Sequence, residues 1–413
     1  MTVPAALAMF GSSSVECQVL SAQIHHGRDD PTSQPVASSA TLELVGPLPP
    51  DAVIGARVTV TAELRGVSST RFDGEVTDLG VGWDDVDHPR PRVIAVGDLA
   101  RLGRRPIGDV PWNQELDGAR VARILELAGF PTNPFLSDPG TVQVLARDVD
   151  RQPALALAQS TADDGAGVLW QDREGRTRYA DAMHRRGAEL ELELRSCDVG
   201  IGLGWEESLD GLVNDVHLRY GPTPEGSEQP EVYATDAASI DARGLFGASM
   251  TTAIATAVDA QKRADLIVAR QAVPSWLLGG LEVDLALFDD ATTAAILGLD
   301  VHDLLSITGL PEGSPATSAF LWVEGWREKI DGGDNGPTWQ LAFATSDYCR
   351  TAGTPLWDDL TGGETWDTVD PALVWNRATC IPPRPSFGRW HDVPASLRFD
   401  TVDPATTWDT WPY

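Results

Sequence analysis

Lysine is nearly missing from this 413-residue chain: Lys262 and Lys329 stand against 61 acidic residues, and the formal charge is −30. So acidic a surface repels phosphate backbones and anionic lipid, which argues against general nucleic-acid binding and against membrane attachment. No run approaches the roughly 18 consecutive apolar residues that span a bilayer. The N-terminal MTVPAALAMFGSSSVECQV has no basic segment ahead of its short apolar stretch, so synthesis and folding in the cytosol are expected. Cysteine is scarce too. Cys17, Cys197, Cys349 and Cys380 are far apart and form no CxxC, which excludes a zinc or disulfide framework and leaves buried thiols as the expectation.

Catalytic signatures are equally thin. GxSxG, GxxxxGK and a strand-to-helix GxGxxG are all absent. His25-His26, and His302 within DVHDLL, lack the helical spacing that brings two imidazoles to one metal. WDDVDHP (83–89) and DGGDNG (331–336) gather oxygen ligands, but both stand where hairpins must turn, and DGGDNG lacks the distal Glu of a calcium loop. The pairs Glu206-Glu207 and Asp289-Asp290 are unexceptional in so acidic a chain, and Arg104-Arg105 and Arg185-Arg186 read as solvated loop charges or local ion pairs. Neither an enzyme, a metal nor a cofactor is expected.

What is present is a punctuated β pattern. VTVTAEL (58–64) and FDGEVTDLGV (72–81) alternate with period two, and RVIAVGDL (92–99) follows the polar loop WDDVDHPRP. Residues 1–104 are therefore expected to form a small antiparallel barrel or sandwich. LDGARVARILELAGFP predicts a helix with Asp117 as N-cap, Val121, Ile124, Leu125 and Ala128 on one face, and Gly129 at its end. A second helix is expected from near Asp150, with Pro153 in its first turn, leading into the hairpin GVLWQDREGRTRYAD. Residues 105–203 thus read as a helix-and-hairpin domain.

Strands return over 204–350 as LVNDVHLRYG, LEVDLALF, HDLLSITGL, FLWVEGWREKI and TWQLAFATSD, which predict a second barrel. A helical insertion at about 235–272 interrupts it, where SMTTAIATAVDAQKRADLIVAR predicts one long helix capped near 249–251. The stretch ending at Asp98 can be laid over the one ending at Asp347, strand for strand, with central glycines Gly74 and Gly325 and an offset of about 250 residues. Chance similarity of two β-hairpins is the competing explanation. The fold class is mainly β with α insertions: two similar β-barrel or sandwich domains, the helix-and-hairpin domain between them, and an extended C-terminal arm.

That arm, 351–413, carries an aromatic ladder. Trp357, Trp366 and Trp375 are nine apart, as are Trp390, Phe399 and Trp408, with DTVDPA repeated between rings. A segment with almost no aliphatic run cannot bury these rings within itself, and each indole removes of order 200 Å² from water when buried. The ladder is expected to cover a protein surface, another subunit above all; a platform for sugar rings is the rival.

ASSATLEL with RFDGEVTDL, the helix VARILELAGFP, LVNDVHLRYG, and the run from DAASIDARGLFG through GGLEVDL to VHDLLSITGLP and VEGWREKI carry a resemblance over roughly residues 10–350. The chain resembles the minor tail proteins of long-tailed actinobacterial phages, of the tail-tip or baseplate hub type. The resemblance implies a virion structural protein, assembled in the host cytoplasm as a homotrimer, whose two barrels per chain give pseudo-sixfold symmetry against a hexameric tail tube. Implied partners are the distal tail protein, the tape measure, tip or fibre proteins, and DNA only in transit at ejection. A receptor- or glycan-binding tail-tip protein and the distal tail protein itself are the alternatives.

Overall fold

The computed structural model describes residues 5–11, 16–85, 88–108, 111–130, 136–148, 150–185, 188–200, 202–223, 228–332 and 338–348. The ladder residues Trp357, Trp366, Trp375, Trp390, Phe399 and Trp408, with Cys349 and Cys380, lie outside them. The protein is mainly β, with one large sheet and few helices. Eleven strands make that sheet. They are β1 Ala5–Phe10, β2 Glu16–Gly27, β3 Ser39–Leu44, β4 Arg57–Leu64, β5 Val67–Asp85, β6 His88–Val96, β7 Leu190–Arg195, β8 Leu281–Asp284, β9 Leu304–Thr308, β10 Ala319–Asp331 and β11 Thr338–Asp347.

Period-two patterning builds the first half. In β4 every second residue, Val58, Val60, Ala62 and Leu64, is buried, and in β1 Ala6, Ala8 and Phe10 are. The order β1-β4-β5-β6-β3-β2 closes on itself, because Ala6 to Met9 of β1 also pair with Val19 to Glu16 of β2. β2 then changes neighbour. A register shift between Val19 and Ser21 bends it, and its remaining length, Ser21 to Gly27, pairs with Asp331 to Gly325 of β10.

The second half repeats the order. β9, β10 and β11 form an antiparallel meander like β4, β5 and β6, and β8 lies beside β11 as β3 lies beside β6. On the far side β7 runs parallel to β9, whereas β1 is antiparallel to β4. The main-chain N–H of Gly200, just past β7, donates to Glu282 O of β8 at 2.7 Å. One hydrophobic core runs through both halves. At their junction Gly27 faces Gly325: a Cβ on Gly325 would stand 2.5 Å from His26 O, and one on Gly27, at φ +76°, would strike Glu324 O. Only glycine allows the two backbones that approach.

Two smaller cores flank the sheet. Helices α1 Asp98–Gly103, α2 Asp117–Leu127 and α3 Ala154–Asp164 pack with the hairpin Val168–Gln171/Thr177–Ala180. Asp215–Arg219, Glu231–Thr235 and Gly247–Thr251 make a separate three-stranded sheet covered by α5 Ala257–Gln271, with α4 Ala237–Arg243 in the connection. Helix α6, Asp290–Gly298, follows β8.

Several local expectations change. LVNDVHLRYG supplies this small sheet, not the large one, and β7 comes from within 105–203. Asp117 is the first residue of α2, after Leu116 at the N-cap, and turns inward. Helix α3 begins only after Pro153. The long helix begins at Ala257, where the Thr256 side chain accepts from Asp259 N–H at 3.1 Å; the residues expected to cap it, 249–251, are strand, and Val258 is exposed. Backbone pairing with Asp215–Arg219 outweighs the helical pattern there. WDDVDHPRP is not a loop throughout, since β5 reaches Asp85 and β6 starts at His88. Cys17 is half-buried and Cys197 exposed, against the expectation of buried thiols.

Candidate functional site: a buried charged seam between the halves

β10 carries Glu324 and Glu328, four apart and both fully buried, in the strand shared by the two halves. A buried carboxylate is tolerated only when paired and hydrogen-bonded. Glu328 faces Arg71 of β5, whose Nε and Nη2 each donate at 2.9 Å, while Trp339 Nε1 donates at 2.7 Å. Arg71 spends its remaining Nη1 on Leu297 O, at 2.9 Å. Glu324 takes Arg28 through Nε at 2.9 Å and Nη2 at 2.6 Å, Arg185 through Nη2 at 2.8 Å, and the Ser346 hydroxyl at 2.5 Å. Burial pushes the Glu324 carboxyl up, but Arg185 and Arg28 outweigh it and hold it below the ordinary range.

Between these pairs sits His26. Arg71 O can only accept, so the contact at 2.8 Å places a proton on Nε2, and Nδ1 then accepts from the Ser38 hydroxyl at 2.9 Å. The ring stacks on Trp326 with centroids 4.7 Å apart. Burial first, then the charge of Arg71, lowers its pKa to about 3 despite the Arg71 carbonyl, so it stays neutral. His302, at φ +77°, accepts from Arg185 Nε at 2.7 Å through Nδ1, and Arg185 also lies 5.0 Å over the Trp322 ring.

The seam has little chemistry to offer beyond holding. Both glutamates are saturated by donors, and the hydroxyl set against an imidazole, Ser38 on His26, is fully buried together with it. Tethering strands from distant parts of the chain is its evident effect, because Arg71 to Glu328 spans 257 residues and Arg28 to Glu324 spans 296. Of the earlier candidates, His26 and His302 both join this seam region. His25 lies 3.5 Å from Asp29, Glu206 and Glu207 sit exposed on a short strand, and Asp289 caps α6 by accepting from Thr292 N–H at 2.7 Å. Of the arginine pairs, Arg104 is an exposed charge 3.0 Å from Glu75, and Arg185 is ion-paired too, but in the interior and to the distant Glu324. Arg71, Glu324 and Glu328 were missed; the signal available was Glu324 inside the otherwise apolar FLWVEGW, with Glu328 four residues on.

A second feature faces outward. β4 accompanies β5 only to Glu75 and β3 meets β6 only from Arg92, so the pairs Val81–Pro91, Gly82–Arg90 and Trp83–Pro89 form a two-stranded projection. Trp83 on it is 66% exposed, a large apolar ring held in water.

No family model matches the chain, and no curated protein does. Solved structures do. A 43 kDa tail protein of prophage MuSo2 from Shewanella oneidensis superposes with a TM-score of 0.56 at 13% identity, covering 84% of this chain and 99% of that one. The tail protein from Neisseria meningitidis MC58 gives 0.59 at 12%, covering 85% and 98%. Prophage tail protein gp18 from Listeria monocytogenes EGD-e gives 0.52 at 10%, covering 82% and 94%. The chain has the fold of phage tail proteins. The matched part of the chain accounts for nearly the whole length of each.

Proposed function

We propose that this chain is a structural phage tail protein serving as the tail-tip hub, which joins the tail tube to the tip and surrounds the channel for DNA exit. The observation that carries the reading is the repeated strand order, β1-β4-β5-β6-β3 and β7-β9-β10-β11-β8, within one continuous sheet. Two similar barrels per chain give six quasi-equivalent units from a trimer, which is what a hub needs to meet a sixfold tube. The shared fold with tail proteins supports the same class. The formal charge of −30 suits a channel wall to which DNA does not adhere. In this reading 1–104 and 204–350 are ring units, 105–203 is bracing that lends β7 to the second of them, and 351–413 is the arm. The ladder from Trp357 to Trp408 covers a neighbouring subunit, and the Trp83 projection makes a second contact between proteins. The native mass of the purified chain tests the assembly. Three copies of 44.3 kDa are expected, and a monomer at all concentrations contradicts it.

A further inference from the structure

The seam opens on one side into a cavity of about 210 Å³, where the large sheet, the helix-and-hairpin unit and α5 meet. Arg28 and Arg185 reach it from the seam, and Arg263 and Arg270 from α5; Ser275 and His302 complete this part of the wall. Four guanidiniums around one small space are unexpected in a chain with so large an acidic excess. Burial, with the like charges of Arg185 and Arg263, lowers Arg270 to about 10, and burial also lowers Arg263.

The donors are more telling than the charges. Arg185 Nε donates to His302 Nδ1, so the neutral imidazole carries its proton on Nε2. That Nε2 is buried with no protein partner, on a residue only 7% exposed. The buried Ser275 Oγ on the same wall has none either. The carboxylates of the wall do not reach these two donors. Asp163 accepts from Gln34 Nε2 at 2.7 Å, Asp181 accepts from Met183 N–H at 2.8 Å, and Arg263 donates to the main-chain oxygen of Asp163 at 3.1 Å. Asp347 also lines the cavity, and Glu324 beneath it is already shared by two arginines.

We propose that this cavity is a binding site for a small oxyanion of phosphate or carboxylate type, held by Arg263 and Arg270 and by the N–H of His302 and the O–H of Ser275. Such a guest offers several acceptor oxygens to donors that the fold brings together, and charge-assisted hydrogen bonds are the strong ones. The site is independent of the hub reading, because it lies within one chain.

The test is calorimetric titration of the full chain with inorganic phosphate, and separately with malonate, at constant ionic strength against chloride. Saturable one-to-one binding of either is expected, and the tighter of the two tells whether a free phosphate or a carboxylate, such as an acidic side chain of a neighbour, is the natural occupant. Arg263→Gln should weaken it by about tenfold or more, and Ser275→Ala by a smaller factor, while the exposed Arg195→Gln leaves it unchanged. Far-UV circular dichroism confirms that each variant folds. Heats that do not saturate for either anion up to tens of millimolar overturn the proposal, as does binding that Arg263→Gln and Ser275→Ala both leave intact.

Discussion

At the scale of single residues, the seam replaces solvation with pairing, and its members are costly to remove one at a time. Glu328→Gln or Arg71→Met leaves the opposite charge buried and should cost about 3–5 kcal/mol. Urea unfolding monitored by tryptophan fluorescence measures this. Arg195→Ala, at an exposed ion pair, should leave the unfolding midpoint essentially where it is in the parent. Acid stability carries the mark of His26. Its folded pKa of about 3 lies below the ordinary 6.5, so between these values the unfolded chain binds the extra proton and stability falls as pH drops. Asp303 acts with the opposite sign. Burial raises it to about 7 from 3.8, so the folded chain holds the proton across that window and its contribution falls as pH rises. Unfolding free energies from pH 3 to 7.5 should therefore show a shallower acid-side slope in His26→Gln, and less loss towards neutrality in Asp303→Asn. Unchanged profiles would contradict both assignments.

At the scale of elements, what could be read in advance depended on whether backbone periodicity or long-range pairing decides the outcome. The alternation in β4 and β5, the strand β6, the hairpin at Val168–Ala180 and the Gly129 helix end, at φ +77°, are local patterns, and the structure has them. So is the strand–Gly–strand parallel of Gly74 and Gly325, which the two meanders share. The seam was not legible, because Arg and Glu read singly look like surface, and only pairings across more than 200 residues make them interior. The same holds for Asp117. Its sequence suits an N-cap, yet its carboxylate accepts from Thr141 and Val142 N–H at 2.8 and 2.9 Å and from the Tyr179 hydroxyl, partners that lie well outside the helix. The strand junction gives a sharp prediction. Gly325→Ala drives a methyl into the β2 backbone and should cost about 3 kcal/mol from overpacking. Gly80→Ala, with open space around it, should change little. Differential scanning calorimetry of the two variants checks the contrast.

At the scale of the whole molecule, the chain joins its two halves through main-chain pairing of β2 with β10 and one shared core, so they should unfold together. The parts proposed to meet other proteins can be removed separately. Truncation after Tyr348 removes the aromatic ladder, and Trp83→Ala removes an exposed ring. Each should leave the melting temperature within a few degrees of the parent while weakening trimer formation or docking to tail proteins, as read by native mass measurement and co-purification. Loss of folding on truncation would mean that the ladder covers this chain's own core. The charge belongs to this scale as well. An assembled channel lined by neutral or basic side chains would contradict the role given to the acidic excess.

The central claim is that one chain supplies two quasi-equivalent units to a ring. Cryo-electron microscopy of the assembled particle tests it most directly through rotational symmetry. The account predicts threefold symmetry, with six similar barrel densities around the channel, two from each chain. A sixfold ring of single-barrel contributions, or a particle containing one copy, would contradict it.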